Sequence, residues 1–161
     1  MITALDTNIL LDLLIPNPRF LDASRGALER AHAQGPLILC ETVYAELASQ
    51  FTTREEVESF LRDTNIQLVA ATPKALYSAS RAWNDFNARR KKEWICPSCG
   101  HRQQPANCSQ CSHPLGTRTH IISDFLIGAH ARAMADRLLT RDRGFYATYF
   151  TDLSILTPAL P

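Results

Sequence analysis

The chain has 161 residues, of which 45% are apolar and 20% charged, which is enough for one domain with a core and a small insert. Its formal net charge of +1 excludes a uniformly charged surface, so any basic patch that grips a polyanion must be local. No apolar run approaches the ~20 residues of a membrane span, and the first residues lack the basic run and apolar stretch of a secretory leader, so a cytoplasmic protein without a membrane partner is expected.

Ile2 to Leu5 reads as a strand that closes at Asp6. Ile9 to Leu14 follows as a short helix, broken by Pro16-Asn17-Pro18. Residues 19–33 form an amphipathic helix on Phe20, Leu21, Leu28 and Ala31, stopped by Gly35-Pro36. Leu37 to Cys40 is a second strand, with Cys40 expected as a small buried apolar residue. Glu41-Thr42 opens a helix to Phe51 that places Val43, Leu47 and Phe51 on one face. Thr53 to Glu56 fits a capping box and starts a helix to Asp63. Ile66 to Ala70 is a third strand, after which Thr72 and Pro73 launch a long helix toward Glu93. Ser123 caps a helix from Asp124 to about Ala135, Arg137 to Thr140 is a fourth strand, and Leu153 to Leu156 a fifth. Strands alternating with helices predict an α/β fold of three layers, α/β/α, around a central parallel sheet.

Asp6, Glu46, Asp124 and Asp142 stand beside these runs. Each has an ordinary explanation alone: a helix cap for Asp6, a favoured first-turn acid for Asp124, a solvated helix residue for Glu46, a turn former for Asp142. Their joint placement is the informative feature. Three of them follow or flank strands expected side by side, at the edge where α/β folds put ligands. Two unit charges ~4 Å apart repel by ~4 kcal/mol at an effective dielectric near 20, so such a group is not assembled for stability. A hard cation, Mg²⁺ or Mn²⁺, turns the repulsion into attraction and activates water for attack on a phosphodiester. Thr7, Asn8 and Thr140 offer neutral polar atoms beside the acids, for orienting them or for capping and turn hydrogen bonds.

The stretches Leu5-Asp6-Thr7-Asn8-Ile9-Leu10, Glu41-Thr42-Val43-Tyr44-Ala45-Glu46-Leu47, Ser123 to Ala131 and Leu139-Thr140-Arg141-Asp142-Arg143-Gly144-Phe145-Tyr146 resemble the four signature blocks of PIN-domain ribonucleases, most of all the VapC-like toxins of prokaryotic toxin–antitoxin modules. The likeness covers residues 1 to about 93 and 117 to 156. It implies a PIN-like nuclease domain over residues 1–93 and 117–161 and a Mg²⁺- or Mn²⁺-dependent endoribonuclease, either a toxin or an RNA-processing nuclease. Asp6, Glu46, Asp124 and Asp142 are then the metal ligands, an antitoxin protein is a partner, and the toxins are often homodimers. The alternative from another class is a non-catalytic PIN and zinc-ribbon module that binds RNA or a protein.

Residues 94–116 interrupt that pattern. Cys96, Cys99, Cys108 and Cys111 form C-x₂-C-x₈-C-x₂-C, two knuckles that suit one tetrahedral Zn²⁺, and four thiolates leave no open position, so this zinc is structural. A ribbon this small folds only with its metal. His101 and His113 lie beside the knuckles and read as surface residues. Arg89, Arg90, Lys91 and Lys92 lead into the insert, and with Arg102 and Arg118 they form a basic flank suited to RNA phosphates; the ordinary alternative is a solvated helix end. Trp94 reads as packed against the ribbon.

Overall fold

The computed structural model describes residues 1–15, 18–89, 94–95, 102–103, 109–110, 112 and 122–159, with the backbone alone for 94–95 and 102–103. In chain order the elements are β1 (Thr3–Leu5), α1 (Thr7–Leu14), α2 (Leu21–Gln34), β2 (Leu37–Leu39), α3 (Glu41–Ala48), α4 (Arg54–Asp63), β3 (Ile66–Leu68) and α5 (Pro73–Arg89). They continue with β4 (Trp94–Ile95), β5 (Arg102–Gln103), α6 (Ile122–Met134), β6 (Arg137–Leu139), α7 (Arg143–Tyr149) and β7 (Ile155–Leu156).

Five strands form one sheet in the order β3-β2-β1-β6-β7, and every pairing in it is parallel. β1 is central, with Thr3 to Leu5 in register with Arg137 to Leu139 of β6 on one side and Thr3 and Ala4 facing Leu37 and Ile38 of β2 on the other. Parallel strands buried on both faces have no solvent side to alternate toward; all residues of β1 and β2 are accordingly buried. The connections step one way from β1 to β3 and the other way from β3 to β7. Right-handed crossovers in opposite directions cover opposite faces of a sheet and leave a crevice at the reversal, which here lies between β1 and β6.

Local chemistry explains several boundaries. The Thr53 hydroxyl accepts from the Glu56 amide at 3.3 Å while the Glu56 carboxylate accepts from the Thr53 amide at 3.3 Å, the expected capping box of α4. Thr72 caps α5 by accepting from Ala75 N at 3.2 Å. Cys40 is buried, as its apolar neighbourhood suggested. Gly35 has φ 150°, and a Cβ there would stand 2.5 Å from the Met1 carbonyl oxygen, so glycine closes the turn into β2 against the amino terminus. α7 was not anticipated. Its Arg-Asp-Arg-Gly opening reads as a turn, but Asp142 caps it and Tyr146 and Phe150 anchor it in the core.

An aromatic cluster ties the outer helices to the sheet. Phe125 of α6 is fully buried and meets Phe145, Tyr149 and Phe150 at centroid distances of 4.9, 5.2 and 6.4 Å, and Trp83 and Phe86 of α5 at 5.6 Å. The edge-on pairs among them, with Trp83, Phe145 and Tyr149, add ~0.5–1.5 kcal/mol each beyond their buried area. The cluster fixes the first turn of α6 beside α7. Gly128, one turn along α6, lets the Phe150 ring approach so closely that an added Cβ would lie 2.4 Å from it.

β4 and β5 pair antiparallel, Trp94 with Gln103 and Ile95 with Arg102. Of the expected ribbon, the described residues are this ladder, the turn at Ser109 and Gln110, and Ser112; Cys96, Cys99, Cys108 and Cys111, with His101 and His113, lie outside them.

Candidate active site

The switch point between β1 and β6 carries the acids. Asp6 leaves β1 in an extended conformation, and its amide donates to Leu139 O at 3.0 Å, which fixes it against the end of β6. It stands at the N-cap of α1, yet its carboxylate makes no capping hydrogen bond to that helix. Instead Asp6 Oδ2 accepts from Thr140 Oγ1 at 2.5 Å and from Asn8 Nδ2 at 2.6 Å. The ordinary capping role is therefore not the one this side chain fills. Burial raises the Asp6 pKa, against the opposing effects of the Thr140 hydroxyl and the amides of Asn8 and Thr7.

Thr140 and Asn8 form the scaffold around it. The Thr140 hydroxyl is wholly buried, donates to Asp6, and accepts from Asp142 N at 2.9 Å and Asn8 Nδ2 at 3.2 Å. Asn8 Oδ1 accepts from Arg141 N at 3.1 Å, so both ends of the amide are used. Thr7 donates its hydroxyl to Glu46 Oε2, tying the acid on α3 to the start of α1. All three polar residues named from sequence thus orient an acid or its neighbour.

Asp142 is not a simple turn former: its Oδ1 accepts from Phe145 N at 3.0 Å and caps α7. Its charge still reaches the group. Asp124, in the first turn of α6, has its pKa raised from 3.8 to about 6, first by burial and then by the charges of Asp6, Glu46 and Asp142. Three other elements of the fold therefore bring their carboxylates within electrostatic reach of Asp124. Among the described residues, however, no three His, Cys, Asp or Glu side chains stand close enough to form a ready-made metal cage. Asp6 and Glu46 are each held by a hydroxyl partner and Asp142 by its cap.

Two features were missed from sequence. Tyr146 is 1% exposed, and its pKa is raised first by burial and then by the charges of Asp6, Asp124 and Asp142 around its hydroxyl. The only signal was its place four residues after Asp142, on the same face of a helix that was itself not anticipated. The second is a buried support: Asp12 Oδ2 accepts from Ser24 Oγ at 2.6 Å and pairs with Arg141 Nε at 3.0 Å, while the Arg141 guanidinium stacks over Phe20 at 4.2 Å. Arg141, which flanks the acids, is thus engaged with α1 and α2 rather than solvated in a turn. Of the basic flank, Arg89 ends the described part of α5 and Arg102 is placed on β5 by its backbone; Arg90, Lys91, Lys92 and Arg118 lie outside the described residues.

The donor set suits a hard cation. Four carboxylates, with no thiolate or free imidazole beside them among the described residues, are a donor set that would fit Mg²⁺ or Mn²⁺. Comparison with known proteins agrees with this architecture. The family model described as PIN domain matches residues 3–151. The chain is similar to the structure of VapBC2 from Rickettsia felis bound to a DNA fragment from their promoter, with a TM-score of 0.60 at 18% identity, over 99% of this chain and 100% of that one. It is similar to VapBC-1 from nontypeable Haemophilus influenzae, with a TM-score of 0.59 at 18% identity, over 98% of each chain. FitAB bound to a DNA fragment gives a TM-score of 0.55 at 16% identity, over 98% of this chain and 95% of that one. None of the curated proteins matches the chain.

Proposed function

The chain belongs to the PIN domain family, and on that premise we propose that it is a Mg²⁺- or Mn²⁺-dependent endoribonuclease, a VapC-like toxin or an RNA-processing nuclease. The observation that carries this reading is the Asp124 carboxyl, pushed up to about 6 by burial and by three carboxylates from other elements. A fold gains nothing in stability from that arrangement, whereas a cation makes use of it.

Asp6, Glu46, Asp124 and Asp142 would hold the metal. When bound, it supplies activation of water and neutralises charge on the phosphoryl oxygens during in-line displacement. The protein groups do the rest: Thr140 and Asn8 fix the Asp6 carboxylate, and Thr7 fixes Glu46. Products with 5′-phosphate and 3′-hydroxyl ends are expected of attack by such a water. Arg89, Arg90, Lys91, Lys92, Arg102 and Arg118 are the residues proposed to hold RNA phosphates, each contact steepening the salt dependence of binding. The direct test incubates the chain with total RNA and Mn²⁺, wild type beside Asp124→Asn, and maps the fragment ends. Equal cleavage by both proteins overturns the assignment.

Residues 94–116 are proposed as a separate zinc-ribbon insert within a nuclease domain made of residues 1–93 and 117–161. The antiparallel pairing of Trp94–Ile95 with Arg102–Gln103 supports it, because Cys96 and Cys99 fall in the connection between those strands. One zinc per chain is expected, lost in a Cys96→Ser, Cys99→Ser double variant. The likeness to VapBC and FitAB structures supports an antitoxin partner, and a homodimer belongs to the same reading; light scattering, with and without the co-expressed partner, reads both.

The spacing of the acids favours a second reading, a PIN and zinc-ribbon module without catalysis that binds RNA or a protein. Mn²⁺ separates the two. A rise in melting temperature that vanishes in Asp6→Asn belongs to the nuclease, and no rise at all to the module.

A further inference from the structure

Among the described residues, Tyr146 brings to the acidic crevice a buried hydroxyl that the arrangement above does not employ. Its ring is committed to packing, 5.2 Å from Phe145 and 6.4 Å from Phe150, and a phenylalanine would make the same contacts. The hydroxyl is buried and reaches no partner at hydrogen-bond geometry, although it faces Asp6 closely enough to be one of the groups that favour that carboxylate's charge. An unpaired buried hydroxyl destabilises a fold, so its retention on a face shared with three carboxylates points to a partner that forms in another state of the site. Asp6 has an oxygen to spare for the hydroxyl. Thr140 and Asn8 both donate to Asp6 Oδ2, and neither uses Oδ1.

We propose that Tyr146 is a positioning residue of the metal centre, whose hydroxyl donates to Asp6 Oδ1 once a divalent cation draws the carboxylates together. This rests on the metal-centre reading of the site. With Thr140 and Asn8 on one oxygen and Tyr146 on the other, Asp6 is held from both sides and keeps a single orientation toward the ion, as outer hydrogen-bond partners of ligating groups do. Before the ion enters, repulsion keeps the carboxylates apart and the hydroxyl is stranded.

The test uses the full chain and MnCl₂ as probe, with the Mn²⁺ Kd from calorimetry and the Tm measured in EDTA. Tyr146→Phe is expected to weaken Mn²⁺ binding by about 10- to 100-fold while its Tm in EDTA equals or exceeds that of wild type. A merely structural hydroxyl leaves Mn²⁺ affinity untouched, and that result overturns the proposal. So does a lower Tm in EDTA, which would mean that the hydroxyl already has a stabilising partner without metal. Asp124→Asn keeps the two readings apart. Mn²⁺ binding lost in Asp124→Asn and unchanged in Tyr146→Phe removes only the role of Tyr146, whereas a wild-type chain that binds no Mn²⁺ removes the metal centre and the role together.

Discussion

The Thr140 hydroxyl donates to Asp6 Oδ2 at 2.5 Å, joining the ends of two neighbouring parallel strands that lie 134 residues apart in sequence. Through this bond β6 sets the orientation of an acid carried by β1. Thr140→Val keeps the shape and deletes the donor, and it also removes the acceptor used by Asp142 N and Asn8 Nδ2. Stability in urea should fall by ~2–3 kcal/mol, the range for leaving buried polar partners unsatisfied. The Asp6 pKa should rise further, because the hydroxyl is the first of the groups that lower it. Mn²⁺ affinity at neutral pH then drops, measurable by calorimetry.

Asp124 gives the metal-free protein a pH dependence with a definite sign. Its folded pKa, about 6, lies above the unfolded value of 3.8, so the native state binds the proton more tightly. Stability is greatest below the unfolded value and is lost as pH rises from about 4 through 6. Half-exposure screens part of the effect. In EDTA at neutral pH, Asp124→Asn should melt about 2–4 °C above wild type, the shift that ~1 kcal/mol makes in a chain of this size. At pH 4 the two should coincide. With Mn²⁺ added the order reverses. Wild type melting above the variant in EDTA at neutral pH contradicts the electrostatic account.

The Asp12–Ser24–Arg141 network should behave as structure rather than chemistry. Asp12 is 4% exposed, and removing it strands the Ser24 hydroxyl and frees Arg141. Asp12→Ala should cost ~2 kcal/mol in urea denaturation, less than the ~3–5 kcal/mol of a fully buried pair because Arg141 is partly exposed. Mn²⁺ affinity should be nearly unchanged. A large loss of metal binding without loss of stability would place the network in the site itself.

Gly128 tests the packing that positions Asp124. A Cβ there would stand 2.4 and 2.6 Å from two atoms of the Phe150 ring, and that ring is locked in the aromatic cluster. Gly128→Ala should destabilise by ~1–3 kcal/mol through overpacking, despite alanine's better helix propensity. A Tm equal to or above wild type would show that the cluster yields easily.

Much of the architecture was legible because its signals are local. Apolar runs without alternation marked strands buried on both faces, Thr53 with Glu56 marked a helix start, and Thr72-Pro73 another. Helix α7 escaped because it is 7 residues long and opens on charged residues and a glycine; what holds it is burial of Tyr146 and Phe150. The acids could be named one by one from their place beside strands, and the hydroxyl and amide neighbours with them.

Sequence alone therefore marked the elements of the main sheet and the helices other than α7, and it singled out four acids and a thiolate spacing, since periodicity, capping and ligand spacing are written within a few residues. Only the tertiary structure decided that strand order puts β1 beside β6, that Asp6 answers to Thr140 rather than to its own helix, that Arg141 is spent on Asp12, and that a tyrosine hydroxyl lies stranded among carboxylates. The reason is physical. Desolvation and charge–charge repulsion depend on which distant side chains share a volume, and that is set by sheet order and packing, not by neighbours along the chain.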